Sequence, residues 1–368
     1  MPFYNYYRVI RVRRRIFQSL IVLFVLGNAV HIGLSFIGAN NRQRKSLSLN
    51  DVEYDPVLPY RYPEEVDIRI VVITFNRASS LEKLLESLDK LELDGDTGYL
   101  EIWIDRKDDG SGDGKPGGRI NLDTLKVART FSWSRGRTRV HVHKKNVGIC
   151  GQWLDTWRPR AGTRELALLL EDDVIVSPFA YRWLKAVHRK YGFRSDVAGY
   201  TLQSEQVNQA NGSGALVRPK DQVAFLYKLI GSWGFAPHPG SWLAFQDWYH
   251  RVRRQGRFRP YVARASLITK WYRMFEAKQL QETMWTMWHV YYSDKYDLFT
   301  VYNNIQAVTN SADILLSVNR MEPGLHFQRK RSDSSEKLLR VWSPDYVKFP
   351  DSLLAYDFDG SLATKHSA

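Results

Sequence analysis

The chain has 368 residues, 44% of them apolar and 13% aromatic, which are globular values with room for one large or two smaller domains. Its formal charge is +14, but residues 1–45 hold eight Arg and Lys and no acid, so the excess is largely N-terminal and a nucleic-acid interface loses most of its support. Cys150 is the one cysteine, so no intrachain disulfide can form, and the thiol reads as a small buried group.

Residues 16–39 carry no formal charge and include Leu20-Ile21-Val22-Leu23-Phe24-Val25-Leu26. About 20 mostly apolar residues span a bilayer as a helix, so a transmembrane signal anchor is expected there. A cleaved signal peptide is the competing reading, with a shorter apolar region and a small-x-small site. The heavier basic cluster precedes the segment. The positive-inside rule then puts residues 1–15 in the cytosol and the body in a lumen or outside the cell. Residues 40–66, polar and carrying Pro56, Pro59 and Pro63, read as a stem. Asn211-Gly212-Ser213 is the only sequon, and it makes Asn211 a candidate glycosylation site.

The body begins at Ile68-Arg69-Ile70-Val71-Val72-Ile73-Thr74, a β-branched strand. Ser79 and Glu82 form a Ser-x-x-Glu capping box, and Leu81, Leu84, Leu85, Leu88 and Leu91 follow at helical spacing. A second strand closes in Asp105. The Gly- and Asp-rich loop 108–118 lacks Gly-Lys-[Ser/Thr] and is no phosphate-binding P-loop. Residues 120–131 predict a helix, 138–143 an alternating strand and 150–157 a short helix. His141 and His143 have no further ligands at zinc-like spacing and read as ordinary strand residues.

Residues 166–170 are an unbroken apolar run, as a strand buried on both faces requires, and they end in Glu171-Asp172-Asp173. Ser177-Pro178 starts another helix. Residues 197–203 predict a strand, 204–222 a loop and 231–240 a turn-rich aromatic segment. Residues 276–292 predict a helix and 296–301 a strand. The charged stretch 329–368 reads as a loosely packed C-terminal tail. Alternating strands and helices predict an α/β fold: a mostly parallel sheet with helices on both faces, preceded by one transmembrane helix.

Three adjacent acids repel one another, and burying them is costly unless a cation neutralises them. Carboxylate oxygens suit Mg²⁺ or Mn²⁺, which bridge protein acids to phosphates. Ligands of open α/β sheets sit beyond the carboxyl ends of the strands. A metal–diphosphate site is therefore expected at the triplet. A loop that starts with acids, or a helix N-terminus favouring negative charge, is the plainer explanation.

The order strand, Thr74-Phe75-Asn76-Arg77, capped helix, strand ending in Asp105, strand followed by Asn146-Val147-Gly148, strand ending in Glu171-Asp172-Asp173 resembles the nucleotide-sugar half of a GT-A glycosyltransferase. It is similar to the family-2-type inverting group, and the Glu-Asp-Asp form also resembles N-acetylglucosaminyltransferase I and its relatives. The resemblance covers residues 67–305, within a GT-A-like (Rossmann-like) domain drawn at 67–328.

The resemblance implies that Thr74, Asn76 and Arg77 hold the base and ribose, with Asp105 also contacting one of them. It implies that Asn146 and Gly148 line the nucleotide pocket, that Glu171 and Asp172 lie near ribose and sugar, and that Asp173 ligates Mn²⁺ or Mg²⁺. Glu282, in Gln281-Glu282-Thr283, matches the general base, with Asp247 and Glu276 as alternatives. His326 matches a late metal ligand, and Trp233 and Phe235 lie where an acceptor sugar would stack.

The implied activity is inverting, metal-dependent hexosyl or N-acetylhexosaminyl transfer from a nucleotide diphosphate sugar, above all a UDP-sugar. The acceptor is a glycan, glycoprotein or glycolipid. The implied location is the Golgi or endoplasmic reticulum membrane, single-pass type II with a lumenal body. Two alternatives stay open. One is a sugar nucleotidyltransferase. The other is a catalytically inactive, membrane-tethered lectin or scaffold, which the single acid at Glu282 keeps in view.

Overall fold

The computed structural model describes residues 60, 62, 64–108, 118–204, 207–208, 216–217, 219, 222–309, 314–320, 322 and 334–363. The chain divides into two units, residues 49–319 with 334–368, and residues 1–48 with 320–333. In the second unit Arg320 and Glu322 form an ion pair at 2.7 Å. Everything below concerns the first.

Strand β1 (Ile68–Thr74) is buried along its whole length. Side chains alternate across a strand, so Ile68, Ile70 and Val72 enter one apolar cluster while Val71 and Ile73 enter another. Its neighbours are β2 (Gly98–Ile104) and β4 (Leu166–Glu171), both parallel to it, and β3 (Arg137–Val142) extends the parallel set beyond β2. Past β4 the sheet turns mixed. Strand β10 (Phe235–Pro237) runs antiparallel between β4 and β6 (Val197–Ser204). Then come β11 (Phe299–Asn303), parallel to β6, β9 (Ala224–Tyr227), antiparallel to β11, and β13 (Ala355–Tyr356), parallel to β9.

The nine-stranded order is β13-β9-β11-β6-β10-β4-β1-β2-β3. Two antiparallel pairs stand outside it: β5 (Val174–Val176) with β12 (Ser317–Asn319), and β7 (Val207–Asn208) with β8 (Leu216–Val217).

Helices cover both faces. On one lie α1 (Ala78–Leu88), α2 (Leu122–Thr130) and α4 (Ala180–Tyr191). Leu81, Leu84, Leu85 and Leu88 of α1 point inward at the spacing that predicts them. Each fully buried leucine contributes roughly 1.5–3 kcal/mol relative to exposure. On the other face lie α3 (Gly148–Asp155), α5 (Pro239–Arg253) and α7 (Trp285–Lys295), whose tryptophans pack against Val71, Ile73 and Leu169. Helix α6 (Ser266–Ala277) builds a satellite cluster with Met284, Met287 and Val290, and α8 (Ile305–Thr309) follows β11. A mixed, mostly parallel sheet flanked by helices is consistent with a Rossmann-like or GT-A-like fold.

Several expectations are corrected. No helix among the described residues is long and apolar enough to cross a membrane. The expected span at 16–39 lies outside those residues. The transmembrane helix, signal anchor, membrane partner, type II topology and Golgi or endoplasmic reticulum placement are therefore set aside.

Helix α1 starts at Ala78 with Arg77 at its N-cap and no side-chain cap bond, so Ser79 lies inside the first turn and forms no capping box. The helix expected at 276–292 is broken: Gln279 adopts φ +58°, and a 3₁₀ turn, Gln281–Thr283, separates α6 from α7. The stretch 334–363 is no loose tail. Leu339 is buried, Trp342 and Phe349 pack on the α1/α4 face, and β13 extends the sheet.

Candidate active site

Strand register brings four carboxyl ends into line. Thr74 closes β1 opposite Ile104, Ile104 pairs with Val142 of β3, and Ile73 pairs with Glu171 of β4. Asp105 and His143 each follow their strand by one residue, and Asp172 and Asp173 follow β4. The chain runs from β1 through β2 and β3 on one side and returns to β4 on the other. The crevice at such a reversal is where open α/β sheets bind ligands.

At that reversal the acids are tightly engaged. Asp172 accepts the Thr74 hydroxyl at 2.7 Å and forms an ion pair with Arg77 through its other oxygen. Asp173 pairs with Nη1 of the same guanidinium at 2.9 Å, while Asn319 at the end of β12 reaches its other oxygen at 3.5 Å. Glu171 accepts the Trp153 indole N–H at 3.0 Å. Burial, with the Asp173 charge adding to it, pushes Glu171 up to about 7. Burial likewise pushes Asp172 up to about 6, against the opposing pull of Arg77. Burial alone would make Arg77 easier to deprotonate, but Asp172, Asp173 and Glu171 together raise it well above its ordinary value.

Asp105 serves as an anchor for the loop before α3. Its carboxylate accepts the backbone N–H of Arg106 at 2.8 Å, Val147 at 3.0 Å and Gly148 at 2.9 Å, with the Asn146 amide at 3.3 Å. Burial raises its pKa even against these donors. An acid at a helix N-terminus also meets the positive end of the helix dipole. Gly148 has φ +64°, and a Cβ there would meet nothing within 4 Å, so the backbone conformation demands glycine while the space beside it stays open. Gln152 of α3 then donates to the Thr74 carbonyl at 2.9 Å, joining this helix to β1. We expect Asp105→Ala to cost about 1–2 kcal/mol in urea denaturation, because several N–H groups lose a buried acceptor. Asp105→Asn should cost less, since one acceptor oxygen survives.

The other candidates are more scattered. Glu282 is exposed, lies in the 3₁₀ turn before α7 and pairs with Arg253 at 2.6 Å. It acts electrostatically on Cys150, in the first turn of α3, whose thiol burial pushes up to about 12. Trp285, three residues on, stacks on Trp153 with ring centroids 4.2 Å apart. Asp247 pairs with Arg158, and Glu276 with Arg259 and Tyr261. Asn76 is exposed in the loop after β1. Trp233 is half-buried, whereas Phe235 is 0% exposed, its ring against Trp242 and His289. Phe235 is thus a core residue with no surface to offer an acceptor. His326 and Asn211 lie outside the described residues.

The triplet does not fit a divalent ion as expected. Among the described residues no three His, Cys, Asp or Glu side chains converge to hold a metal. The Asp172 and Asp173 oxygens that would face such an ion face Arg77 instead. A surface depression of about 380 Å³ at Glu92, Asp94, Asp96 and Arg135 lies before β2, at the wrong end of the strands, and Arg182 and Lys185 already pair with its acids. Three contributors to the site escape the sequence: Gln152 and Trp153, hidden in an apolar helix, and Asn319, brought in from 146 residues away by the pairing of β12 with β5.

No family model matches the chain, and no curated protein sequence matches it. Among solved structures it is similar to the mannosyltransferase PcManGT from Pyrobaculum calidifontis in complex with GDP-Man and Mn²⁺. The identity is 14%, covering 51% of this chain and 48% of that one, at a TM-score of 0.29. It is also similar to S. aureus TarS 1-349, at 12% identity over 65% of this chain and 61% of that one, TM-score 0.32. The chain spans less than two thirds of either structure. Likenesses this partial fix neither donor, acceptor nor stereochemistry.

Proposed function

We propose that the chain transfers a glycosyl group, with inversion, from a nucleotide diphosphate sugar to a hydroxyl of a glycan, glycoprotein or glycolipid, with a UDP-sugar as donor. The observation that supports this reading is the meeting of Thr74, Arg77, Asp105, the Asn146–Gly148 loop and the Glu171–Asp173 triplet at the reversal of strand order. The open space beside Gly148 is assigned to the nucleotide, with Thr74, Asn76, Asn146 and Asp105 as the residues proposed to frame it. Glu171 and Asp172 are assigned positions near the ribose and sugar.

In the transfer, the acceptor oxygen attacks the anomeric carbon as the bond to the diphosphate breaks on the opposite face. The leaving group carries away the electron pair. Glu282 takes the acceptor's proton as general base, and Trp233 offers an aromatic face to the acceptor. Arg77, whose side chain is 25% exposed, presents part of its charge to the leaving diphosphate. No step is assigned to a divalent ion, because the acid pair that would hold it is taken by Arg77.

A screen of nucleotide sugars with the full chain should show release of UDP from a UDP-sugar. Glu282→Gln should lower transfer by at least about 100-fold while leaving UDP binding within a few-fold, since a missing base removes chemistry and not affinity. Failure to bind or hydrolyse any nucleotide sugar overturns the reading. The pairing of Glu282 with Arg253 favours a second reading, an inactive scaffold that kept the fold. Calorimetric binding of UDP without turnover of any UDP-sugar would support it.

A further inference from the structure

Arg77 is placed unlike an ordinary surface arginine. It sits at the N-cap of α1, one loop beyond β1, and reaches across to the end of β4. One Nη pairs with Asp172 and the other with Asp173 at 2.9 Å. The far oxygen of Asp172 is held by the Thr74 hydroxyl at 2.7 Å, which fixes the carboxylate's orientation toward the guanidinium. Asp172 is 2% exposed and Asp173 4%, so this pairing is made largely out of water. A planar guanidinium forking onto two carboxylates is among the stronger polar arrangements available to a protein.

A divalent ion needs carboxylate oxygens free to turn toward it. Here one oxygen of each aspartate is committed to a cation covalently attached to the chain. A guanidinium stays charged at any pH the protein meets and cannot dissociate. An ion entering between the two aspartates has to displace it and strip Arg77 of both its carboxylate partners.

We propose that Arg77 is the resident counter-cation of the Glu171-Asp172-Asp173 triplet and that it excludes divalent cations from the position between Asp172 and Asp173. The inference stands apart from the glycosyl-transfer reading, because it concerns ion binding alone. It also explains why three adjacent acids at a strand end form no metal cluster among the described residues.

The test is Mn²⁺ binding to the purified full chain, followed by electron paramagnetic resonance of free Mn²⁺ and by the shift of Tm with added MnCl₂. The unaltered chain should show no binding at the triplet up to millimolar Mn²⁺. Arg77→Gln removes the charge, and it should bind one Mn²⁺ at least tenfold more tightly and gain Tm with the ion. Asp173→Asn in the Arg77→Gln background should abolish that gain. Arg77→Lys keeps a cation and should behave as the unaltered chain does.

The proposal is overturned if folded Arg77→Gln, judged by near-ultraviolet circular dichroism, gains no Mn²⁺ affinity. It is equally overturned if the unaltered chain binds Mn²⁺ and loses it on Asp173→Asn, a result that does not depend on whether Arg77→Gln folds. Neither outcome involves turnover of a sugar donor.

Discussion

Arg69→Met should lower stability by about 3–5 kcal/mol, read as a fall in the urea midpoint at an unchanged m-value. Arg69 is 1% exposed in the middle of the parallel set, an unusual place for a cation. It binds Glu101 of β2 at 2.6 Å and both oxygens of Glu165, just before β4, at 2.8 and 3.0 Å. Glu101 in turn lies 2.6 Å from His141 of β3, whose ring stacks on Trp103 with centroids 4.1 Å apart. Glu165 also accepts the Val66 N–H at 3.1 Å and the Trp157 indole at 3.2 Å.

The network therefore ties four adjacent strands together below the candidate site. Removing the one guanidinium leaves two carboxylates buried beside each other, and the cost is chiefly that of uncompensated charge. The triple variant Arg69→Met with Glu101→Gln and Glu165→Gln should recover part of the loss, because it neutralises the acids the arginine served. A triple variant no more stable than Arg69→Met alone would show that packing and not charge sets the penalty.

This network also marks a limit of reading the sequence. The strands were legible because β-branched and apolar runs record burial directly: Ile68 to Thr74 and the run 166–170 lie where their composition places them. The inward leucines of α1 were legible from their spacing. Which charges meet was not. Arg69, Glu101, His141 and Glu165 are isolated polar letters in strand or strand-end segments, and only the register joins them. The same holds at the site. The acid triplet stands out in the sequence, but the residue that neutralises it lies 96 positions away and reads as a nucleotide contact.

Local breaks were hidden for a different reason. Gln279 takes a left-handed conformation with no glycine to announce it, so α6 and α7 read as one helix. Beyond residue 334, apolar anchors such as Leu339, Trp342 and Phe349 are spaced among charges at no single period, and the segment shows no regular face even though it packs on the core.

Glu171→Gln should stabilise the protein at pH 8 by about 2 kcal/mol, with the advantage vanishing near pH 4. The sign follows from where the proton resides. An unfolded glutamic acid titrates near its ordinary value of about 4.3, whereas burial and then the Asp173 charge hold the native Glu171 up to about 7. The folded state therefore favours the protonated acid. That preference contributes its full stability below about pH 4.3 and is lost as pH rises through about 7. Asp172, held up to about 6 by burial, works in the same direction over a lower range.

Glutamine copies the neutral acid and keeps an oxygen for the Trp153 N–H, so it removes the penalty without emptying the site. Glu171 retains some contact with solvent, which holds the effect below the full value of the shift. Urea midpoints measured from pH 4 to pH 8 in chelator should diverge steadily, the variant's curve flatter than that of the unaltered chain. Parallel curves, or a variant less stable at pH 8, would mean that Glu171 is ionised at no cost in the native state. The triplet would then carry more charge than the one guanidinium of Arg77 can balance.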